Sequence, residues 1–398
     1  MLIKNELFLL IGLISLDLAL LVYAISNLSI SYYEAQIYFN DSSFIHFVAQ
    51  ISTKIFGVND FALRMPFVVV HIANIFLLYQ VSKPILTQKF DRFIAVLIYM
   101  FLPGVLASAL LVNNAGFIVL ISLLGVSFVQ NDMKKSLVII LIASIFISKS
   151  FLIFYIALMF YGFYSKNKFN LICGILFIVL GLIFFDFNLS GKPKGYAIDT
   201  FGVFAAVFSP LIFVYFVYTI YRIWVKEEKD FLWFLSNCAF CISLILSIRQ
   251  KLDLELFLPY LVIFIPHMVR LFLSSYRIRL PQFRKKYIFF ACLLLLSLGI
   301  NSAASIFYNI FYLFLDNPKK HFVYKFDIAK DLANEIKNLG INAVSSDPKM
   351  ALRLKFYGIN SPSKYYFADD CLKNTEIKNL QITKFSKEIA KFKICKEK

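Results

Sequence analysis

Ser29–Pro66 reads SISYYEAQIYFNDSSFIHFVAQISTKIFGVNDFALRMP. It lies between two long apolar segments, yet carries Glu34, Asp41, His46, Lys54, Asp60 and Arg64. Ionisable side chains are costly beside a bilayer, so this much charge in a first loop marks a working surface. The segment before it, Leu7 to Ile25, is long enough to cross a membrane and lacks a small-x-small cleavage site. With further spans behind it, it reads as a retained helix, not a signal peptide.

The composition points the same way. Of 398 residues, 60% are hydrophobic and 16% charged, against roughly 25% charged in a soluble domain. The 46 Phe and 22 Tyr residues suit lipid-facing and interfacial positions. Apolar stretches near 7–27, 64–82, 93–112, 115–131, 136–148, 151–165, 169–186, 201–222, 231–248, 254–274 and 287–313 predict an α-helical polytopic membrane protein of about 11 transmembrane helices. They fill a membrane domain over 1–316, with its first outward loop at 28–63. The pair 136–148 and 151–165 is short and broken at Lys149-Ser150.

Charge sets the orientation. With the N-terminus inside, the inward loops hold sixteen basic residues, among them Lys89, Arg92, Arg277, Arg279, Arg284, Lys285 and Lys286. The outward loops before the tail hold seven: Lys54, Arg64, Lys149, Lys192, Lys194, Arg249 and Lys251. That asymmetry predicts a multi-pass bacterial inner-membrane protein with a cytoplasmic N-terminus. An odd number of spans then places the tail, 317–398, in the periplasm. In it, DIAKDLANEIKNLGI has helical spacing, INAVSSD reads as a short strand and PKMALRLKFYGI as a helix opening on Pro348. This predicts a small α/β domain, near the lower size limit for a self-sufficient core. Cys371 and Cys395 are its two cysteines, and on an oxidising side they are expected to pair. Cys238 and Cys241 form a CxxC inside an apolar span, which reads as two small core residues.

No P-loop, dinucleotide fingerprint or zinc-spaced His/Cys set occurs, so ATP-driven chemistry has no support. Nothing points to nucleic acid as a partner. The outward cations are the minority that the orientation rule disfavours, and each calls for a reason. Lys149, Lys192, Lys194, Arg249 and Lys251, brought together by bundling, would hold a phosphate or diphosphate. Any one of them alone reads first as a snorkelling side chain or a headgroup ligand; only as a set does the phosphate site stand level with that reading. Among the carboxylates, Glu34 is best placed to take a proton from an acceptor hydroxyl, followed by Asp41. Asp60 is equally a helix cap. His46 orients a substrate or sits in the interface, and His71 and His267 read as packed. Asn113 and Asn114 either face the same cavity or form a simple turn.

These residues resemble a family, the GT-C superfamily of polyprenyl-phosphate-sugar glycosyltransferases. The likeness is to the bacterial branch with the aminoarabinose transferase of lipid A and protein O-mannosyltransferase-like enzymes. Its acidic pair after the first span, His loop, Phe-Gly and Arg-x-Pro correspond here to Tyr33-Glu34-Ala35, His46, Phe56-Gly57 and Arg64-Met65-Pro66. Its short hairpin broken by a basic residue corresponds to ISKSFLIF around Lys149. Its late proline-containing span corresponds to RQKLDLELFLPYLVIFIP, and its small extracytoplasmic domain to the tail. Three positions depart from the pattern. Tyr33 replaces the first acidic residue, Asn113 or Asn114 stands where another acid is common, and Phe47, not proline, follows His46.

The resemblance implies transfer of a sugar from a polyprenyl-phosphate donor to an extracytoplasmic lipid, glycan or protein, with membrane lipids as further partners. Glu34, with Asp41 as second choice, would be the base; Lys149, Arg249, Lys192, Lys194 and Lys251 would hold the donor phosphate. Tyr33, His46, Arg64, Asn113 and Asn114 would position substrate. If the acceptor is itself a phosphate, no base is needed. A divalent metal held by Glu34, Asp41 and His46 is compatible with these residue types, but their spacing is not diagnostic. The rival readings are a non-catalytic scaffold or lipid-binding protein of the same fold, and a lipid or sugar transporter. The transporter predicts internal symmetry that the sequence lacks.

Overall fold

The computed structural model describes residues 2–185, 195–314, 324–368, 376–385 and 387–396. Helices α1 (Leu2–Asn27), α2 (Tyr32–Asn40), α3 (Phe44–Phe56) and α4 (Asp60–Val81) open the chain. There follow α5 (Lys89–Met100), α6 (Pro103–Leu110), α7 (Ala115–Gln130), α8 (Lys134–Ile145), α9 (Phe151–Tyr164) and α10 (Lys168–Phe184). After them come α11 (Ala197–Phe208), α12 (Pro210–Lys226), α13 (Phe231–Arg249), α14 (Leu258–Val262), α15 (Ile265–Ile278) and α16 (Pro281–Ile306). The tail adds α17 (Ile328–Asn338), α18 (Pro348–Phe356), β1 (Tyr365–Ala368), β2 (Glu376–Lys384) and β3 (Lys387–Lys396).

Each of the eleven apolar stretches carries helix among the described residues, but they differ in length and straightness. Among the described residues, five runs are long and apolar enough to cross a membrane: Phe8–Asn27, Asp60–Val81, Phe231–Arg249, Leu258–Ile278 and Pro281–Ile306. Two bent pairs raise the number to seven if each is one span: α5 with α6, bent by 61°, and α11 with α12, bent by 107°. Proline sets both breaks, since Pro103 and Pro210 supply no N–H to the preceding turn. Ser209, at φ +72°, turns the chain between α11 and α12. The remaining helices are short. At about 1.5 Å per residue, the 14 residues of α9 fall well short of a core roughly 30 Å thick.

The chain forms two compact units. The first gathers Met1–Leu18, Phe67–Ala109 and Asn113–Ser302. Its core is aromatic: Phe208, Phe213, Phe216, Phe240 and Phe264 pack in stacked, tilted and edge-on pairs. Helices α9 and α10 form a hairpin so close that a Cβ on Gly162 would strike the main-chain nitrogen of Leu171. One on Gly174 would meet Met159 N at 2.6 Å. Glycine here lets two backbones touch, as in other tightly packed membrane helix pairs.

The second unit gathers Ala19–Pro66, Leu110–Val112 and Ala303–Lys398, so the tail and the first loop share one body. The loop is itself helical. Ser31 opens α2 with a capping box: its hydroxyl accepts from Glu34 N–H, and the Glu34 carboxylate accepts from Ser31 N–H. Helix α3 buries Ile45 and Ala49 and exposes Phe47, Ile51 and Ile55 on its other side, as an interfacial helix does. Pro66 lies inside α4 and leaves the Ala62 carbonyl without its helical donor. The Ser52 hydroxyl of α3 donates to that carbonyl instead, at 2.5 Å.

In the tail, Ile328, Leu332 and Ile336 of α17 pack with Leu354, Leu380, Ile382 and Ile394. The sheet is antiparallel in the order β1-β3-β2, with Phe367 opposite Ile394 and Ile382 opposite Ala390. Both expected helices are present. The expected strand at INAVSSD makes only isolated bridges, Ala343 to Asn360 and Ser345 to Tyr366. Cys395 is disulfide-bonded; its expected partner, Cys371, lies outside the described residues.

Candidate active site

The first loop places its charges in a buried cluster within the second unit. Arg64, in the first turns of α4, is completely buried. Its Nη2 donates to both oxygens of Glu34, at 3.4 and 3.3 Å, and to the Ser29 carbonyl at 3.2 Å. Its Nη1 donates to Asp60 Oδ1 at 3.4 Å, one helical turn away. Glu34, 2% exposed, accepts further bonds from Ser31 N–H at 2.8 Å and Val112 N–H at 3.2 Å. Both carboxylate oxygens are therefore engaged, one on each side of the guanidinium contact. A buried carboxylate so surrounded serves as an anchor.

The tail completes the cluster. The Tyr357 hydroxyl donates to Asp60 Oδ1 at 2.8 Å and accepts from Ile30 N–H at 2.9 Å. Burial first, and then the Asp60 charge, pushes the Tyr357 phenol well above its ordinary pKa, which keeps it a donor. Lys330 of α17 reaches Asp60 Oδ2 at 3.4 Å and donates to the Ser26 carbonyl at 3.1 Å. Arg353 of α18 donates through Nε to the Ile30 carbonyl at 2.8 Å and through Nη2 to Ser29 Oγ at 3.3 Å. The strand-like stretch 29–31 is thus clamped between α4 and α18.

The other loop candidates stand apart from this cluster. Asp41 is exposed and ends α2, its Oδ1 accepting from Ser42 N–H at 2.8 Å. His46 is half-buried, with Nδ1 2.8 Å from the Ile37 carbonyl. Tyr33 is 65% exposed. Glu34, Asp41 and His46 do not assemble as metal ligands: among the described residues, no group of three or more His, Cys, Asp or Glu could hold a metal. The physical reason is that Glu34 faces donors inward, while Asp41 faces solvent.

The first unit holds the remaining candidates. Asn113 Oδ1 accepts from Ala115 N–H at 2.9 Å, and Asn114 precedes α7 with its Oδ1 buried and unbonded. Lys149 is exposed at the break between α8 and α9, flanked by buried Ser148 and Ser150. Ser150 Oγ lies 3.2 Å from the Tyr260 hydroxyl of α14, and Ser236 of α13 donates to the Tyr260 carbonyl at 2.7 Å. Arg249 and Lys251 are exposed on the segment linking α13 to α14. Gly195 N–H donates to the Ile248 carbonyl, beside Arg249, at 3.3 Å. Lys192 and Lys194, which precede it, lie outside the described residues. Thus the Lys149 break is bonded to α14, and the chain at Gly195 to the end of α13 beside Arg249, all within one unit.

The sequence reading missed Arg353, Tyr357 and Lys330, whose partners lie some 300 positions away. An arginine between leucines in LRL was the available signal, since Arg353 is on the buried side of α18. It also missed Asp17, buried within α1 and 2.8 Å from His71 Nε2. His267 pairs likewise with Asp230, at 2.9 Å. Both histidines are packed, as expected, but each against an aspartate.

Comparison with known proteins adds three findings. The family described as dolichyl-phosphate-mannose-protein mannosyltransferase matches residues 41–190, which include Asp41, His46, Arg64 and Lys149 but not Glu34. The crystal structure of ArnT from Cupriavidus metallidurans bound to undecaprenyl phosphate shares the fold: TM-score 0.50, 11% identity, 87% of this chain and 75% of that one. The same enzyme in its apo state gives 0.48 at 12% identity, over 90% and 76%. Curated protein sequences give no match. The fold expected from the resemblance is therefore the one observed.

Proposed function

We propose that this chain is a membrane glycosyltransferase that moves a sugar from a polyprenyl-phosphate donor to an acceptor at the outer face of the membrane. The observation that carries this reading is the arrangement in the first unit. There a helix break with exposed Lys149 is bonded through Ser150 to α14, whose approach carries Arg249 and Lys251. Cations on such backbone are suited to a phosphate held at the membrane surface. ArnT, which shares the fold, was crystallised with undecaprenyl phosphate.

In the reaction, an acceptor oxygen attacks the anomeric carbon of the donor sugar. The new C–O bond forms as the bond to phosphate breaks, and its electron pair leaves on the phosphate oxygen. Polyprenyl phosphate is an adequate leaving group without an acid, provided cations hold its charge. Lys149 and Arg249 take that role, with Lys251, Lys192 and Lys194 as further members. Glu34, with both oxygens engaged, acts as a positioning residue for the 29–31 segment. A hydroxyl acceptor also gives up its proton to a base, whereas an anionic acceptor needs none.

The N-terminus is cytoplasmic and the tail extracytoplasmic in this reading. The excess of inward cations supports it, and so does a disulfide at Cys395, which favours an oxidising compartment. The engagement of Glu34 also favours a second reading, a non-catalytic protein of the same fold. Purified protein with radiolabelled polyprenyl-phosphate sugars separates the two. Turnover that falls at least about tenfold in both Lys149→Ala and Arg249→Ala, as loss of a charged hydrogen bond implies, supports transfer. Absence of turnover with any donor favours the second reading, and turnover indifferent to both substitutions removes the assigned phosphate site.

A further inference from the structure

The second unit contains a cleft of about 400 Å³. It is lined by Tyr32, Tyr33, Phe326, Lys325, Lys349 and Arg353. We propose that this cleft binds a saccharide bearing an anionic group, phosphate or carboxylate, and that it recognises the acceptor. As an acceptor site it rests on the transferase reading.

The charge of the cleft is the first argument. Lys325 and Lys349 are exposed at its edge, and Arg353 is only 7% exposed. The two bonds of Arg353, to Ile30 and Ser29, use Nε and Nη2 and leave Nη1 outside both. Burial holds the Arg353 guanidinium below its ordinary pKa, against the pull of Tyr357 and Glu34, so a further anion is welcome there. One carboxylate, Asp347, also lines the cleft, and it caps α18 by accepting from Met350 N–H at 3.4 Å. Three cations against this one capped acid leave the cleft positive.

The aromatic lining is the second argument. Tyr33 leaves 65% of its surface uncovered, and Tyr32 lies under the Lys349 ammonium, 5.8 Å from ring centroid to Nζ. A flat apolar face beside a cation fits a sugar ring, whose C–H face packs on the aromatic while its charged substituent meets the cation. Phe326 is fixed in place, its carbonyl accepting from Ser29 N–H at 2.7 Å. Tyr33 is also where the sequence departs from the acidic pair of the resembling family. An acid there would repel an anion; a tyrosine presents a surface for its ring.

Titration of the full-length protein in phosphatidylcholine nanodiscs, with no donor present, tests this. The probes are glucose 6-phosphate, glucuronic acid, methyl glucoside and inorganic phosphate. One or both anionic sugars should bind at least tenfold tighter than methyl glucoside and inorganic phosphate, and which one does so names the anion. The charge reversal Lys325→Glu/Lys349→Glu should weaken that binding tenfold or more, and Tyr33→Ala should weaken it for the sugars alone. All three side chains are exposed, so the thermal midpoint should not move. Equal binding of neutral and anionic sugars, or affinity unchanged by charge reversal, overturns the proposal. Inorganic phosphate binding as tightly as the sugar phosphate overturns its saccharide part. Loss of sugar binding in phosphatidylglycerol nanodiscs assigns the cleft to a lipid headgroup and overturns it likewise. Because no donor is used, failure here is separate from failure of transfer.

Discussion

Among the described residues, Arg64 is the one guanidinium with ion pairs to two carboxylates, Glu34 and Asp60, and it is wholly buried. Removing one member of a buried ion cluster leaves the others uncompensated, which costs more than the cluster contributes while intact. Arg64→Met is expected to destabilise the second unit by about 3–5 kcal/mol, read as a lowered thermal midpoint in detergent. Glu34→Gln/Arg64→Met should recover part of that loss, because the neutral amide no longer needs a counter-charge. A double variant no more stable than Arg64→Met would show that Glu34 is not anchored by Arg64. From the sequence, Glu34 and Arg64 were visible as out-of-place charges in an apolar region. Their pairing is not visible there, because an exposed-looking loop carboxylate suggests proton transfer, whereas the folded Glu34 meets Arg64 and the Val112 amide. Charge at a membrane surface says that something holds it, and only the fold says what.

Helices α9 and α10 meet through glycines, and the consequence is local and strong. A methyl group on Gly162 or Gly174 would strike main-chain atoms of the facing helix, which have no rotamer with which to yield. Gly162→Ala and Gly174→Ala should each cost about 1–3 kcal/mol, whereas Gly202→Ala, with nothing within 4 Å of its Cβ position, should be tolerated. Thermal midpoints of the three variants side by side check this; equal midpoints would refute the close approach. Helix existence was legible from hydropathy at every apolar stretch. Helix shape was not: the 107° turn at Ser209 depends on a positive φ that no apolar count reports. In the sequence, the polar content of α2 and α3 masks their amphipathic period, so the segment reads as loop. In α3 the exposed Phe47, Ile51 and Ile55 repeat at helical spacing and were open to that reading.

For the whole molecule, the second unit draws on three separate parts of the chain. Local periodicity carries no information about this, since the contacts that build the unit join Asp60 to Tyr357 and Ile30 to Arg353, 297 and 323 residues apart. A chain ending at 316 should therefore lose the protection of its first loop. Limited trypsin digestion with mass spectrometry should find cleavage after Arg64, a side chain wholly covered in the intact protein. Equal protection in both chains would mean that the loop folds unaided. The same threading has a bearing on biogenesis. A ribosome adding about 5–20 residues per second delivers Tyr357 on the order of ten seconds to a minute after Asp60. Throughout that delay the 29–31 segment and Asp60 wait without Arg353, Tyr357 and Lys330, and the newborn first loop depends on whatever escorts it until its late-arriving clasp closes.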